Sequence, residues 1–117
     1  MKQNNDLVFG HRFHALGVAV ESCREAAGVL EVLKACDGKL ADQLRRAVQS
    51  VALNIGEARG RRGRDRAQHF AIACGSAREA AVALEVAVAF GYLAQAQTRR
   101  LAPLLDRCIC MLTKLSR

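Results

Sequence analysis

Residues 13–38 read FHALGVAVESCREAAGVLEVLKACDG, and their apolar positions recur at helical spacing, with no strand-like alternation. Phe9, Phe13, Leu16, Val20, Cys23, Ala27 and Leu30 alternate steps of four and three, the pattern of a packed helix seam. Glu21, Arg24, Glu25 and Glu31 fall off that seam and are expected to face water. Asp37-Gly38 then interrupts the pattern, since glycine just past a helix is a common stop. A first helix over about 13–36 follows.

The same period runs through the rest of the chain. A second helix is expected over 40–59, with Leu44, Val48, Val51, Ile55 and Ala58 as its apolar stripe. A third, over 65–90, carries Phe70, Cys74, Ala77, Ala81, Leu84 and Val88 on one face, and Gly91 ends it. A fourth, over 95–115, carries Leu101, Leu105, Cys108, Leu112 and Leu115. Pro103 admits two readings: a kink if that helix starts near Gln95, or a favoured first-turn position if it starts near Ala102. Connections this short turn each helix back on the last, so the expectation is one all-α domain over 1–117, an antiparallel up-down-up-down four-helix bundle. The third helix is apolar around much of its girth, through Ala71, Ala77, Ala80, Ala81, Ala83, Ala87 and Ala89, which points to a subunit contact.

Composition agrees. Of the 117 residues 51% are hydrophobic but only 4% aromatic, so Leu, Val and Ala must fill the core. The net charge is +7, and 14 of the 18 basic residues are arginine, the better bidentate partner for phosphate. Residues 1–10 carry Asp6 and no long apolar stretch, so a secretion signal is not expected. The longest apolar run, Val86 to Ala94, is far short of the roughly 20 residues that span a membrane. A cytoplasmic location with reduced thiols is the corresponding expectation for the five cysteines.

Catalytic and metal chemistry find little support. Cys108 and Cys110 lie about 200° apart around a helix and cannot share an ion. His11 and His14 have no carboxylate or cysteine at helical spacing, His69 stands alone, and the Glu-x-x-His pair of di-iron bundles is absent. Gly56, Gly60 and Gly63 lack the strand and the Gly-Lys-Ser/Thr of a phosphate loop. No catalytic residue, metal or cofactor is expected.

Two features remain. Residues 59–66 hold Arg59, Arg61, Arg62, Arg64 and Arg66 against Asp65 alone, with Arg45 and Arg46 nearby in sequence. Concentrated cationic charge displaces counterions from a nucleic-acid backbone, which supplies sequence-independent affinity, so these seven arginines are the candidate binding residues. The segment has no aromatic on which a base could stack. The other feature is a polar line on the second helix, Gln43, Ser50, Asn54, Glu57 and Arg61, beside the apolar stripe. Half-buried polar groups need partners, and Ser76 and Glu79 on the third helix are the expected ones.

The stretch Gln43-Leu-Arg-Arg-Ala-Val-Gln-Ser50-Val-Ala-Leu-Asn54-Ile-Gly-Glu57, followed by Gly60-Arg61, Phe70, Ala73, Gly75-Ser76, Glu79 and Gly91-Tyr92-Leu93, resembles the signature of the bacterial four-helix bundle family first described from 23S rRNA intervening sequences. That family includes the accessory variability protein of diversity-generating retroelements. The resemblance implies a homopentamer, association with RNA or DNA and with a reverse-transcriptase-like protein, and no catalytic residues. It marks Ser50, Asn54, Glu57, Arg61, Ser76 and Glu79 as positions of structural weight. Three positions depart from the family pattern. Gly56-Glu57-Ala58 stands where Ala and then Glu-Gly is usual, Gly63 where a Ser or Thr caps, and Arg66 where an acidic residue precedes the Phe.

The expected function is therefore a non-enzymatic, oligomeric, nucleic-acid-associated binding protein. A protein-interaction scaffold without a nucleic-acid role is the alternative.

Overall fold

The computed structural model describes residues 14–117 and folds them into four helices: α1 (His14–Cys36), α2 (Gly38–Arg59), α3 (Gly63–Ala89) and α4 (Leu101–Leu115), with a 3-10 turn at Gln95–Thr98. Phe9, Phe13 and His11 lie outside the described residues. Two of the helix boundaries have a plain local cause. Asp37, the single residue between α1 and α2, is extended, and its carboxylate accepts the Leu40 N–H at 3.0 Å. That side-chain cap starts α2 at Gly38, two residues earlier than expected. Beyond α3, Gly91 adopts φ 78°. The Tyr92 N–H reaches back to the Ala87 carbonyl at 2.9 Å and the Gly91 N–H to the Val88 carbonyl at 3.0 Å, a Schellman stop.

The expected fourth helix is two pieces. Buried Thr98 donates its hydroxyl to the Gln95 carbonyl at 2.8 Å, closing the 3-10 turn, and α4 starts only at Leu101. Pro103 consequently sits in the first turn, where a missing N–H leaves no bond unmade.

The helices share two buried clusters. One combines Val29 and Leu33 of α1 with Leu44 and Val48 of α2, Leu84 and Ala87 of α3, and Leu101 and Leu105 of α4. The other combines Ala15 and Val18 with Val51 and Ile55, Phe70 and Cys74, and Cys108 and Leu112. Each cluster takes the late half of one helix and the early half of the next, so successive helices run in opposite senses. The ends of α2 and α4 therefore share one end of the bundle with the starts of α1 and α3.

Leucine, isoleucine and valine fill the middle, and alanine sets the spacing. The α2 stripe is buried in full: Leu44, Val48, Val51, Ile55 and Ala58. On α1 the expected seam is displaced by one residue. Ala15, Val18, Ala19, Ser22, Ala26, Val29 and Leu33 are buried, whereas Val20, Cys23 and Ala27 are exposed and Leu16 and Leu30 half-buried. A one-residue step turns a helix face by about 100°. Both stripes repeat at three and four, and the small Ala and Ser side chains belong to the face that lets its neighbours approach. Ser22 fits there because its hydroxyl donates to the Val18 carbonyl at 3.1 Å. The α3 alanines divide similarly: Ala77, Ala80, Ala83 and Ala87 are buried within the chain, Ala81 half-buried, and only Ala71 and Ala89 exposed. On α2 and α3 the large apolar side chains left on the outside are instead Leu53 (61% exposed), Ile72 (42%) and Val82 (55%), with Phe90 (68%) just beyond α3.

Candidate nucleic-acid interface and the α2/α3 polar line

Seven arginines adjoin in sequence but not in space. Arg45 and Arg46 lie 14 and 13 residues before Arg59, the last residue of α2, about 20 Å from the junction at 1.5 Å per residue. Both pair with Asp42, at 2.8 and 3.4 Å, and these contacts hold the Asp42 carboxyl below its ordinary pKa, the Arg45 hydrogen bond contributing most. They do not belong to the α2/α3 junction.

At the junction itself the arginines do different work. Arg61 reaches Glu57 at 2.8 Å and Asp65 at 2.9 Å, and the two carboxylates raise its pKa, Asp65 foremost. One guanidinium thus ties the last turn of α2 to the first turn of α3. Arg66 donates its Nε–H to the Arg61 carbonyl at 2.9 Å, which fastens the turn from the other side. Arg59 occupies the last turn of α2, where a cation meets the negative end of the helix dipole. Arg62 and Arg64 are exposed, and neither side chain has an ion pair or hydrogen bond among the described residues. Gly63 between them adopts φ 55°, a conformation that favours glycine.

The fold adds a neighbour that the sequence order conceals. The start of α3 and the end of α4 flank a groove of about 540 Å³ lined by Gly63, Arg64, Ala67, Gln68, Ala71, Ser116 and Arg117. Antiparallel pairing of α3 with α4 was the signal that could have joined residue 64 to residue 117.

The polar line is a directed chain of hydrogen bonds between α2 and α3. Ser50 Oγ and Ser76 Oγ lie 2.8 Å apart. Asn54 Nδ2 donates to the Ser50 carbonyl at 3.0 Å and to Ser50 Oγ at 3.1 Å. With its amide nitrogen so used, Asn54 presents Oδ1 to His69 Nδ1 at 3.2 Å, which makes Nδ1 the protonated ring nitrogen. Ser50 Oγ, accepting from Asn54, is free to donate to Ser76. Ser76 then opens on a shallow groove with Gln43, Arg46 and Glu79. Glu57 is engaged by Arg61 and stays outside this chain. Sequence reasoning left His69 without a partner; its place opposite Asn54 follows from the register that Ser50 and Ser76 set.

The chain offers hydrogen bonds but no activated nucleophile. His69 acts as a donor to an amide, not as a base on either serine. Burial pushes the Cys108 thiol up to about 11, against the lowering effects of Ser22 and Arg107. Burial also raises Cys23. Thiols held protonated are poor nucleophiles and poor metal ligands. Among the described residues no group of three or more His, Cys, Asp or Glu side chains could hold a metal, and no helix is long and apolar enough to cross a membrane.

The family model for 23S rRNA-intervening sequence proteins matches residues 34–114, which takes in the polar line and the whole α2/α3 junction. The chain belongs to the 23S rRNA-intervening sequence protein family. A crystal structure of a protein of unknown function from the S23 ribosomal protein family of Bacteroides thetaiotaomicron VPI-5482 has the same fold, with a TM-score of 0.78. It is 19% identical, over 88% of this chain and 98% of that one. No curated protein matches the chain. Within this intervening-sequence protein, the matched span begins at Lys34 and so leaves out most of α1, the helix whose seam lies one residue from its expected place.

Proposed function

We propose that this intervening-sequence family protein is a non-enzymatic, cytoplasmic, homo-oligomeric binding protein, a pentamer, whose ligand is the phosphate backbone of structured RNA or DNA. The observation that carries the reading is the pair Arg62 and Arg64, exposed at a bundle end and left unneutralised while Arg61 is bridged by two carboxylates. Free guanidinium groups on a body of net charge +7 attract a polyanion, and the absence of an aromatic in residues 59–66 favours backbone contact over base stacking. Repetition of the end around an oligomer would raise avidity without new contacts. Leu53, Ile72, Val82 and Phe90, apolar and exposed, support a protein contact on the α2/α3 side.

That same surface supports a second reading, a scaffold for a protein partner such as a reverse-transcriptase-like enzyme, with the charge incidental. Light scattering combined with the ultraviolet absorbance ratio of freshly purified protein separates them. The proposal expects a pentamer mass with co-purifying nucleic acid. A monomer mass overturns the oligomer, and a pure-protein ratio with no binding to added RNA at low salt overturns the ligand.

A further inference from the structure

Arg117 and Arg64 face one groove although 53 residues separate them in the sequence. Its floor is made of small side chains, Ala67 and Ala71, and its polar lining is Gln68 and Ser116. No Asp or Glu side chain lines it, which sets it apart from the Arg61 side of the same junction, where Glu57 and Asp65 pair with the guanidinium. Two guanidinium groups across a shallow floor match a polyanionic strand, which presents phosphates in series.

We infer that the groove between the start of α3 and the end of α4 is a second contact track for a nucleic-acid backbone, with Arg64 and Arg117 as its phosphate-binding residues. The inference rests on the nucleic-acid reading above and extends it from the α2/α3 turn across the end of the bundle to α4. A ligand lying there touches α3 from two sides, Arg62 on one and Arg117 on the other. Binding would then be set by backbone shape and charge, with no base readout.

The test is fluorescence anisotropy with a fluorescein-labelled RNA duplex, titrated at salt from about 50 to 200 mM. Wild type is compared with Arg117→Ala and with Arg99→Ala/Arg100→Ala, which removes charge at the opposite end of the bundle. Each lost phosphate contact lowers the slope of log affinity against log salt by about 0.7–0.9. Arg117→Ala is expected to lose about that much, and Arg99→Ala/Arg100→Ala to keep the wild-type slope. If wild type binds steeply with salt but Arg117→Ala leaves the slope untouched, the groove is refuted while the nucleic-acid reading stands. Equal losses from both variants refute it too, because net charge alone would then explain them. If wild type does not bind the duplex, the reading fails and takes the groove with it. Arg117 is exposed at the end of α4, and unchanged thermal unfolding of the variant shows that folding is not the cause.

Discussion

Asn54 uses both halves of its amide on the seam between α2 and α3, donating to Ser50 and accepting from His69. Replacing it with Ala removes three contacts at once and leaves half-buried His69 Nδ1 without its partner, while Ser50 keeps Ser76. A lost hydrogen bond costs about 1 kcal/mol, and an orphaned buried group about 1–3 kcal/mol. Asn54→Ala is therefore expected to lower unfolding stability by about 2 kcal/mol in urea denaturation, and Ser50→Ala by less, since Ser76 can turn toward the groove. A change in Asn54→Ala of only a few tenths would show that water replaces the chain. The polar line was legible in sequence because Ser50, Asn54 and Glu57 repeat at helical spacing. His69 was not, since its meaning depends on a register between two helices. Arg61 was legible in part: its place four residues after Glu57 on the polar line shows in sequence, whereas its second arm to Asp65 depends on the turn between α2 and α3.

Glycines separate the elements by what their backbone requires. Gly91 stops α3 at φ 78°, which an L side chain adopts only at a cost of roughly 1–2 kcal/mol. Gly28 lies within α1 with open space where a Cβ would be added. Gly91→Ala should thus lower the melting temperature, whereas Gly28→Ala should raise stability by roughly 0.5–1 kcal/mol through helix propensity. Calorimetry on the two variants checks both signs; equal signs would contradict either the helical interior assigned to Gly28 or the end of α3 assigned to Gly91. At this scale the sequence was readable where side chains differ sharply in kind, as along the α2 stripe. It was ambiguous on α1, where Leu16-Val20-Cys23 and Ala15-Ala19-Ser22 run side by side with the same period. The bulkier stripe looked like the core, yet the smaller one permits close approach. The break at Gln95–Thr98 was hidden because Gln, Ala and Thr give no stop signal, and the turn is closed by Thr98 bonding locally.

For the molecule as a whole, alternation of helix direction gathers charge that the chain disperses. The ends of α2 and α4 meet the start of α3, so Arg62, Arg64 and Arg117 share one end of a body measuring 42 × 33 × 19 Å. Arg45 and Arg46 are carried along α2 toward the other end and pair with Asp42. Proximity in sequence overstated the cluster in one direction and understated it in another. The membership of this chain in the intervening-sequence family explains the bundle and the signature residues of α2 and α3. What distinguishes it chemically is which arginines are left unneutralised, and that is the point on which the proposed function turns. The most direct measurement is the salt dependence of binding to a labelled RNA duplex for wild type, Arg61→Ala and Arg62→Ala/Arg64→Ala. The account predicts steep salt dependence for wild type, a slope reduced by about 1.4–1.8 when Arg62 and Arg64 are both lost, and a near-normal slope with reduced stability for Arg61→Ala. Binding that is insensitive to salt, or a double variant indistinguishable from wild type, would contradict it.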